Sequence, residues 1–282
     1  MAEDDGFDLE KPARELTKGV LRGVWDWFLG RNNAELDAEK PKRGILILGP
    51  GGTGKTTLAR LLSGQLDWLD DEPGRYRESV DLEYFSLSDD SDVEVVVAPG
   101  QAYRRPSTWP ELLTQVAGGA FRGVIVMNAY GYHTFSTPSY KNHQLYSGSK
   151  PEFLKLYFAD RRADELRVLR QLVPHLAVCS QKVWLLSAVS KQDLWGSQQG
   201  VVEEHYQRGD YSVELAPVLQ ALGNRSFRHE VVLLSLTIRN LQTLAHETLA
   251  ETEAGYDIKR LTESIQNLVR IFNGLREWEG AT

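Results

Sequence analysis

Residues 44–62 read GILILGPGGTGKTTLARLL. A short apolar run leads straight into Gly49-Pro50-Gly51-Gly52-Thr53-Gly54-Lys55-Thr56, and apolar residues at helical spacing follow. G-x-x-x-x-G-K-T between a strand and a helix is a phosphate-binding loop, because the glycines let successive backbone N–H groups converge on phosphate oxygens and the helix start adds the positive end of its dipole. Gly51, Gly52, Thr53 and Gly54 are the expected cradle. Lys55 is expected to reach the β and γ phosphates, Thr56 to offer its hydroxyl to Mg²⁺, and Thr57 to complete the nucleotide-binding set.

Working outward, strand-like runs are predicted at 44–48, 93–97, 124–128, 183–189 and 231–234, with a half-buried alternating candidate at 80–87. Helical spacings are predicted at 55–66, 109–117, 160–176, 213–222 and 238–250. Alternation of strand and helix, with strands apolar throughout, predicts an α/β P-loop fold with a mostly parallel central sheet covered by helices on both faces. The expected division is an N-terminal extension at 1–43, a nucleotide-binding domain at 44–250 with a loop insertion at 131–156, and a C-terminal helix within 251–282. In that last segment Asp257 is the expected N-cap. Leu16, Val20, Val24, Trp27 and Phe28 share one helical face, which suits packing on the domain itself or a peripheral membrane or partner contact.

Composition narrows the classes. The 282 residues are 41% hydrophobic, enough for a conventional core, and the net charge of −7 gives no overall field to attract nucleic acid. Cys179 is the one cysteine, so an internal disulfide is impossible, and six scattered histidines show no zinc spacing. The opening MAEDDGFDLEKP is acidic where a secretory signal is basic, and no apolar run nears the ~18 residues of a membrane span. The expectation is a cytoplasmic protein without an integral membrane segment. Trp68, Trp109, Trp184 and Trp195 are expected in the core or at its boundary.

Beyond the phosphate loop, the chain resembles the Ras-like small GTPases at three more places, in order, each at the end of a predicted strand. Val97-Ala98-Pro99-Gly100-Gln101 resembles the D-x-x-G-Q element, Ser190-Lys191-Gln192-Asp193 the N/T-K-x-D guanine-reading motif, and Ser235-Leu236-Thr237 the short S-A-K-type loop. The resemblance implies GTP or GDP as ligand. Asp193 would accept from guanine N1–H and its 2-amino group, and Lys191 would lie over the base. Ser190, Ser235 and Leu236 would join the base site. Gly100 would donate its N–H to the γ phosphate, and Gln101 would orient the attacking water as the catalytic residue together with Lys55.

Two departures matter. Val97 stands where most of the family has an aspartate that helps hold Mg²⁺ through water, although VAPGQAYRRPS is similar to the bacterial gliding-motility polarity GTPases, which also lack it. Between the first helix and the third strand there is no threonine, which leaves Ser79 as the candidate second hydroxyl for Mg²⁺. Arg75, Arg77, Arg104 and Arg105 lie in the two switch regions, where one of them could neutralise charge on the transferring phosphoryl group.

Three functions are therefore in play: a GTP-hydrolysing switch controlled by an effector or activating protein, a guanine-nucleotide-binding scaffold that does not hydrolyse, and a P-loop ATPase or small-molecule kinase. The loop at 131–156, with Tyr132, His133, Tyr140, His143 and Tyr146, reads either as an effector surface or as a flap packed on the domain.

Overall fold

The computed structural model describes residues 43–65, 79–86 and 93–281. The amphipathic face at 16–28, Trp68, Arg75 and Arg77 lie outside them. In chain order the elements are β1 (Gly44–Leu48), α1 (Lys55–Leu62), β2 (Glu83–Ser86), β3 (Glu94–Val97), α2 (Arg105–Ala117), β4 (Phe121–Asn128), α3 (Lys150–Ala177), β5 (Val183–Val189), α4 (Gln192–Trp195), α5 (Gln199–Gln207), α6 (Asp210–Ser226), β6 (Phe227–Leu233), β7 (Leu241–Gln242), β8 (Thr248–Ala250) and α7 (Ile258–Gly280). Six strands form one sheet in the order β2-β3-β1-β4-β5-β6, with β2 antiparallel to β3 and the other pairs parallel. This is the expected α/β architecture.

The alternation of strand side chains sorts the core into two layers. Leu46, Val96, Val124, Val126 and Leu185 face a layer built by α2, α3, α5 and α6, including Trp109, Leu172, Tyr206 and Leu215. Their neighbours Ile45, Ile47, Val95, Val97, Ile125 and Leu186 face α1 and α7, including Leu58, Ile265, Leu268 and Phe272. Gly123 in β4 makes room for Trp184 of β5, since a Cβ there would collide with the indole ring. Trp109, Trp184 and Trp195 are all buried, as expected of core tryptophans.

Two predicted elements are corrected. The helix expected at 160–176 begins at Lys150, so the insertion is shorter than 131–156; Ser149 takes the N-cap position in extended backbone, and Pro151 and Glu152 suit the first turn. The helix expected at 238–250 is absent, and β7 and β8 form a small antiparallel ribbon there instead. The apolar spacing at Leu241 and Leu249 is real, but the backbone has other partners: Leu244 N–H donates to Thr137 O (3.1 Å), Ala245 N–H donates to Pro138 O (3.3 Å), and His246 turns at φ +63°. Two short elements, α4 and α5, go unrecognised by the spacing.

The parallel strands all end on one edge of the sheet. Loops 49–54, 98–104, 129–149, 190–191 and 234–240 meet there, which is where open α/β sheets hold ligands.

Candidate phosphate and base site

The phosphate loop is packed at Gly49 and Gly52 so closely that neither position has space for a side chain. Gly52 has φ +76°, and a Cβ there would lie 2.7 Å from Thr134 N. Thr53 is buried, and its hydroxyl donates to Pro50 O at 3.0 Å. Lys55 Nζ donates to the same carbonyl at 2.9 Å. Burial, with the Arg105 guanidinium adding repulsion, pulls the Lys55 pKa down to about 7 against the opposing pull of Glu83 and Asp164. Thr56 Oγ1 and Ser79 Oγ lie 3.2 Å apart, so the two hydroxyls expected to share a cation are neighbours although 23 positions separate them. Both are hard oxygen donors of the kind Mg²⁺ takes. Thr57 sits beside them on the first turn of α1.

The 97–105 segment is gripped from beneath. Val97 is fully buried in the sheet, pairing with Ile47 of β1. Gly100 backs onto the phosphate loop so closely that a Cβ would strike Lys55 Nζ and Gly49 O. The indole N–H of Trp109 donates to Pro99 O at 2.9 Å. Arg105 donates from Nε (2.9 Å) and Nη2 (2.7 Å) to Gly100 O, and its Nη1 and Nη2 fork onto the carboxylate of Asp164 at 2.9 and 2.7 Å. Burial alone would raise the Asp164 pKa, but the hydrogen bonds and charge of Arg105 outweigh it and hold the pKa below its ordinary value. Arg105 is thus a buried anchor, which corrects the expectation that it is a candidate to neutralise charge on the phosphoryl group. Arg104 Nη1 donates to Val80 O (3.3 Å), joining this segment to the one that carries Ser79. Gln101 follows Gly100 directly and accepts at its backbone carbonyl from Arg104 N–H (2.9 Å).

On the base side, Ser190 stitches three elements together: its hydroxyl lies 2.8 Å from Thr53 O and 3.0 Å from Asn128 O. Lys191 takes φ +62°, which turns the chain sharply out of β5. Burial lowers its pKa to about 7, with Asp193 opposing, and its Nζ donates to Thr134 Oγ1 at 3.1 Å. Asp193 is buried. Its Oδ1 accepts from the Ser235 hydroxyl (2.5 Å) and its Oδ2 from Arg239 N–H (3.1 Å). Burial raises its pKa, only partly offset by those bonds. A carboxylate oxygen can accept more than one hydrogen bond. Leu236 is buried in the turn that follows Ser235.

The structure brings the candidate residues of all four motifs to one edge. It also adds residues that sequence reasoning missed. Thr134, in the loop after β4, donates its hydroxyl (3.1 Å) and its N–H (3.0 Å) to Gly52 O while accepting from Lys191. That loop is held by Glu165 of α3, which is fully buried and accepts from Ala129 N–H (2.9 Å), Gly131 N–H (3.2 Å), His133 Nε2 (2.8 Å) and Tyr206 OH (2.5 Å). Burial alone would raise the Glu165 pKa, yet the bonds from His133, Tyr206 and Ala129 keep it low; burial lowers that of His133. Tyr132, His133 and Phe135 are buried, and Tyr140, His143 and Tyr146 pack around Phe153. The insertion is therefore a flap packed on the domain. A threonine in a loop and two carboxylates inside a predicted helix carry no local signal; only the fold brings them to the site.

No protein-family model matches the chain, and no curated protein matches it. Among solved structures it is similar to the GDP complex of an ADP-ribosylation-factor-like GTP-binding protein, the small COPII coat GTPase SAR1 of Encephalitozoon cuniculi, at 11% identity and TM-score 0.35, over 95% of this chain and 92% of that one. It is also similar to the signal recognition particle receptor SRb-GDP of Chaetomium thermophilum, at 14% identity and TM-score 0.38, over 82% of this chain and 99% of that one. Neither likeness carries an argument about what this chain does.

Proposed function

We propose that the chain is a GTP-binding and GTP-hydrolysing switch of the Ras-like kind that changes protein partners with its nucleotide. The observation that carries this is the Ser190 junction: one hydroxyl ties Thr53 of the phosphate loop to the turn that bears Asp193, so phosphate cradle and guanine-selective carboxylate share one rigid edge. Two acceptor oxygens suit the paired donors of guanine, and adenine, whose N1 is unprotonated, would leave one unanswered.

In this reading Gly51 to Thr57 bind the phosphates, with Lys55 directed at the β and γ groups. Thr56 and Ser79 hold Mg²⁺, which when bound neutralises phosphate charge. Gly100 donates its N–H to the γ phosphate, and Gln101 orients the attacking water. Arg105 is committed to Gly100 and Asp164, which supports slow intrinsic turnover and a charge-neutralising group from a partner. The similarity of 97–107 to the polarity GTPases supports activity without an aspartate at 97. The buried Val97 is the observation that favours the second reading, a guanine-nucleotide-binding scaffold. A cytoplasmic setting, no nucleic-acid partner and no integral membrane segment complete the proposal.

Titration with labelled GDP, GTP and ATP in magnesium, followed by single-turnover phosphate release, tests it. Guanine nucleotides are expected to bind at least tenfold more tightly than ATP, Asp193→Asn to shift preference toward xanthine nucleotides, and Gln101→Leu to slow hydrolysis while GTP affinity stays within a few fold. ATP binding as tight as GTP would sink the guanine reading. Phosphate release absent under every condition, candidate partners included, would favour the scaffold.

A further inference from the structure

The hydroxyls of Thr56 and Ser79 are neutral, and a small divalent cation bound between protein and phosphates ordinarily takes one or two carboxylates as well as waters. The geometry points to Glu83 as the carboxylate of this site, and we propose that it holds the cation, directly or through a bound water, alongside Thr56 and Ser79. The inference rests on the nucleotide-binding reading above.

Three observations carry it. In the antiparallel β2–β3 ladder Glu83 pairs with Val97, and directly opposed residues project to the same face of a sheet. That face is the one covered by α1, because Val97 packs in the layer with Leu58 and Ala59, and Phe85, two residues along from Glu83, packs on the same layer. Glu83 therefore stands on the side of the sheet where the first turn of α1 presents Lys55 and Thr56. Finally, Glu83 Oε2 is buried and has no hydrogen-bond partner among the described residues.

A buried carboxylate oxygen without a donor is costly, so native chains keep such a group where something else satisfies it. Lys55 does not: its Nζ donates to Pro50 O, and no donor among the described residues reaches Glu83 Oε2. A hydrated cation at the Thr56–Ser79 pair does so through its charge and its water protons. Ser79 precedes Glu83 by four residues on the strand's approach, so one segment delivers both a hydroxyl and a carboxylate to the start of α1.

The test reads metal dependence rather than turnover. GDP dissociation is followed against magnesium concentration for wild type, Glu83→Gln and Glu83→Asp, with an EDTA arm for each and thermal melting as a folding control. The glutamine variant is expected to raise the magnesium midpoint about 10- to 100-fold while its EDTA rate matches wild type. The aspartate variant keeps the charge but withdraws the oxygens by one methylene; it is expected to raise the midpoint less, and it decides the matter alone if the glutamine variant does not fold. A wild-type midpoint in either folded variant overturns the proposal. So does an EDTA rate altered by the same factor as the magnesium rate, which is the mark of a structural residue. Wild-type nucleotide binding that ignores magnesium overturns the Glu83 assignment alone. Failure of the wild type to bind any guanine nucleotide overturns the functional reading, and this assignment with it.

Discussion

Lys191 sits where a cation is poorly solvated. Burial pulls its pKa to about 7 from an ordinary 10.5, with the Asp193 carboxylate opposing the shift. Between those two values the unfolded chain binds more protons than the folded one, so folding stability must rise with pH from about 7 toward 10 and level off below 7. Lys55 contributes in the same direction. Chemical denaturation of the protein without nucleotide, run between pH 6.5 and 9, is expected to show a rising midpoint, with a shallower rise in Lys191→Met. A midpoint that is flat in wild type, or falls, contradicts the burial of this ammonium. The SKQD stretch makes Lys191 and Asp193 visible in the sequence as chemistry. Ser235, the partner of Asp193, is visible too, through its likeness to the S-A-K-type loop, whereas Thr134 and Arg239 N–H are visible only in three dimensions, because they come from loops 57 and 46 positions away.

Among the elements, α2 does more than cover the sheet. A trans peptide points its N–H opposite to its C=O, so fixing a carbonyl fixes the following amide. Trp109 holds Pro99 O and Arg105 holds Gly100 O, which sets the amide directions of Gly100 and Gln101. If those amides meet the γ phosphate, loosening either grip should reduce GTP affinity relative to GDP and slow hydrolysis while GDP binding stays within about twofold. Trp109→Phe removes one donor but keeps the ring, and Arg105→Lys loses the fork but keeps the charge. Calorimetry with both nucleotides is the check, and an unchanged GTP to GDP ratio in both variants contradicts the role. The strands at 44–48 and 183–189 are fully legible because their apolar runs are uninterrupted and bounded by loop residues. The 238–250 segment is not, because its three-four spacing is spent on a ribbon whose backbone bonds to Thr137 and Pro138. Asp257 is legible as a cap from its place after Gly255, and its carboxylate accepts from Arg260 N–H at 3.1 Å.

At the scale of the whole molecule, the layer under α7 gathers Trp184, Leu186, Ile265, Leu268 and Phe272, with Phe272 meeting Trp184 edge to face at 5.7 Å. Phe272→Ala empties that layer and is expected to cost about 3–5 kcal/mol, read as a lowered denaturant midpoint with an unchanged slope. A loss below about 1 kcal/mol would mean that α7 is not part of the cooperative core. On the opposite layer, α3 spans 28 residues, about 42 Å at 1.5 Å per residue, and carries Asp164 and Glu165 side by side. Through Arg105 the first fixes the 97–101 loop, and through Ala129, Gly131 and His133 the second fixes the 129–134 loop. Both loops are thus referred to a single origin on one rod. A thermal translation of the rod carries the two loops by the same vector and leaves the gap between them unchanged, as the jaws of a gauge keep their spacing when both are clamped to one bar.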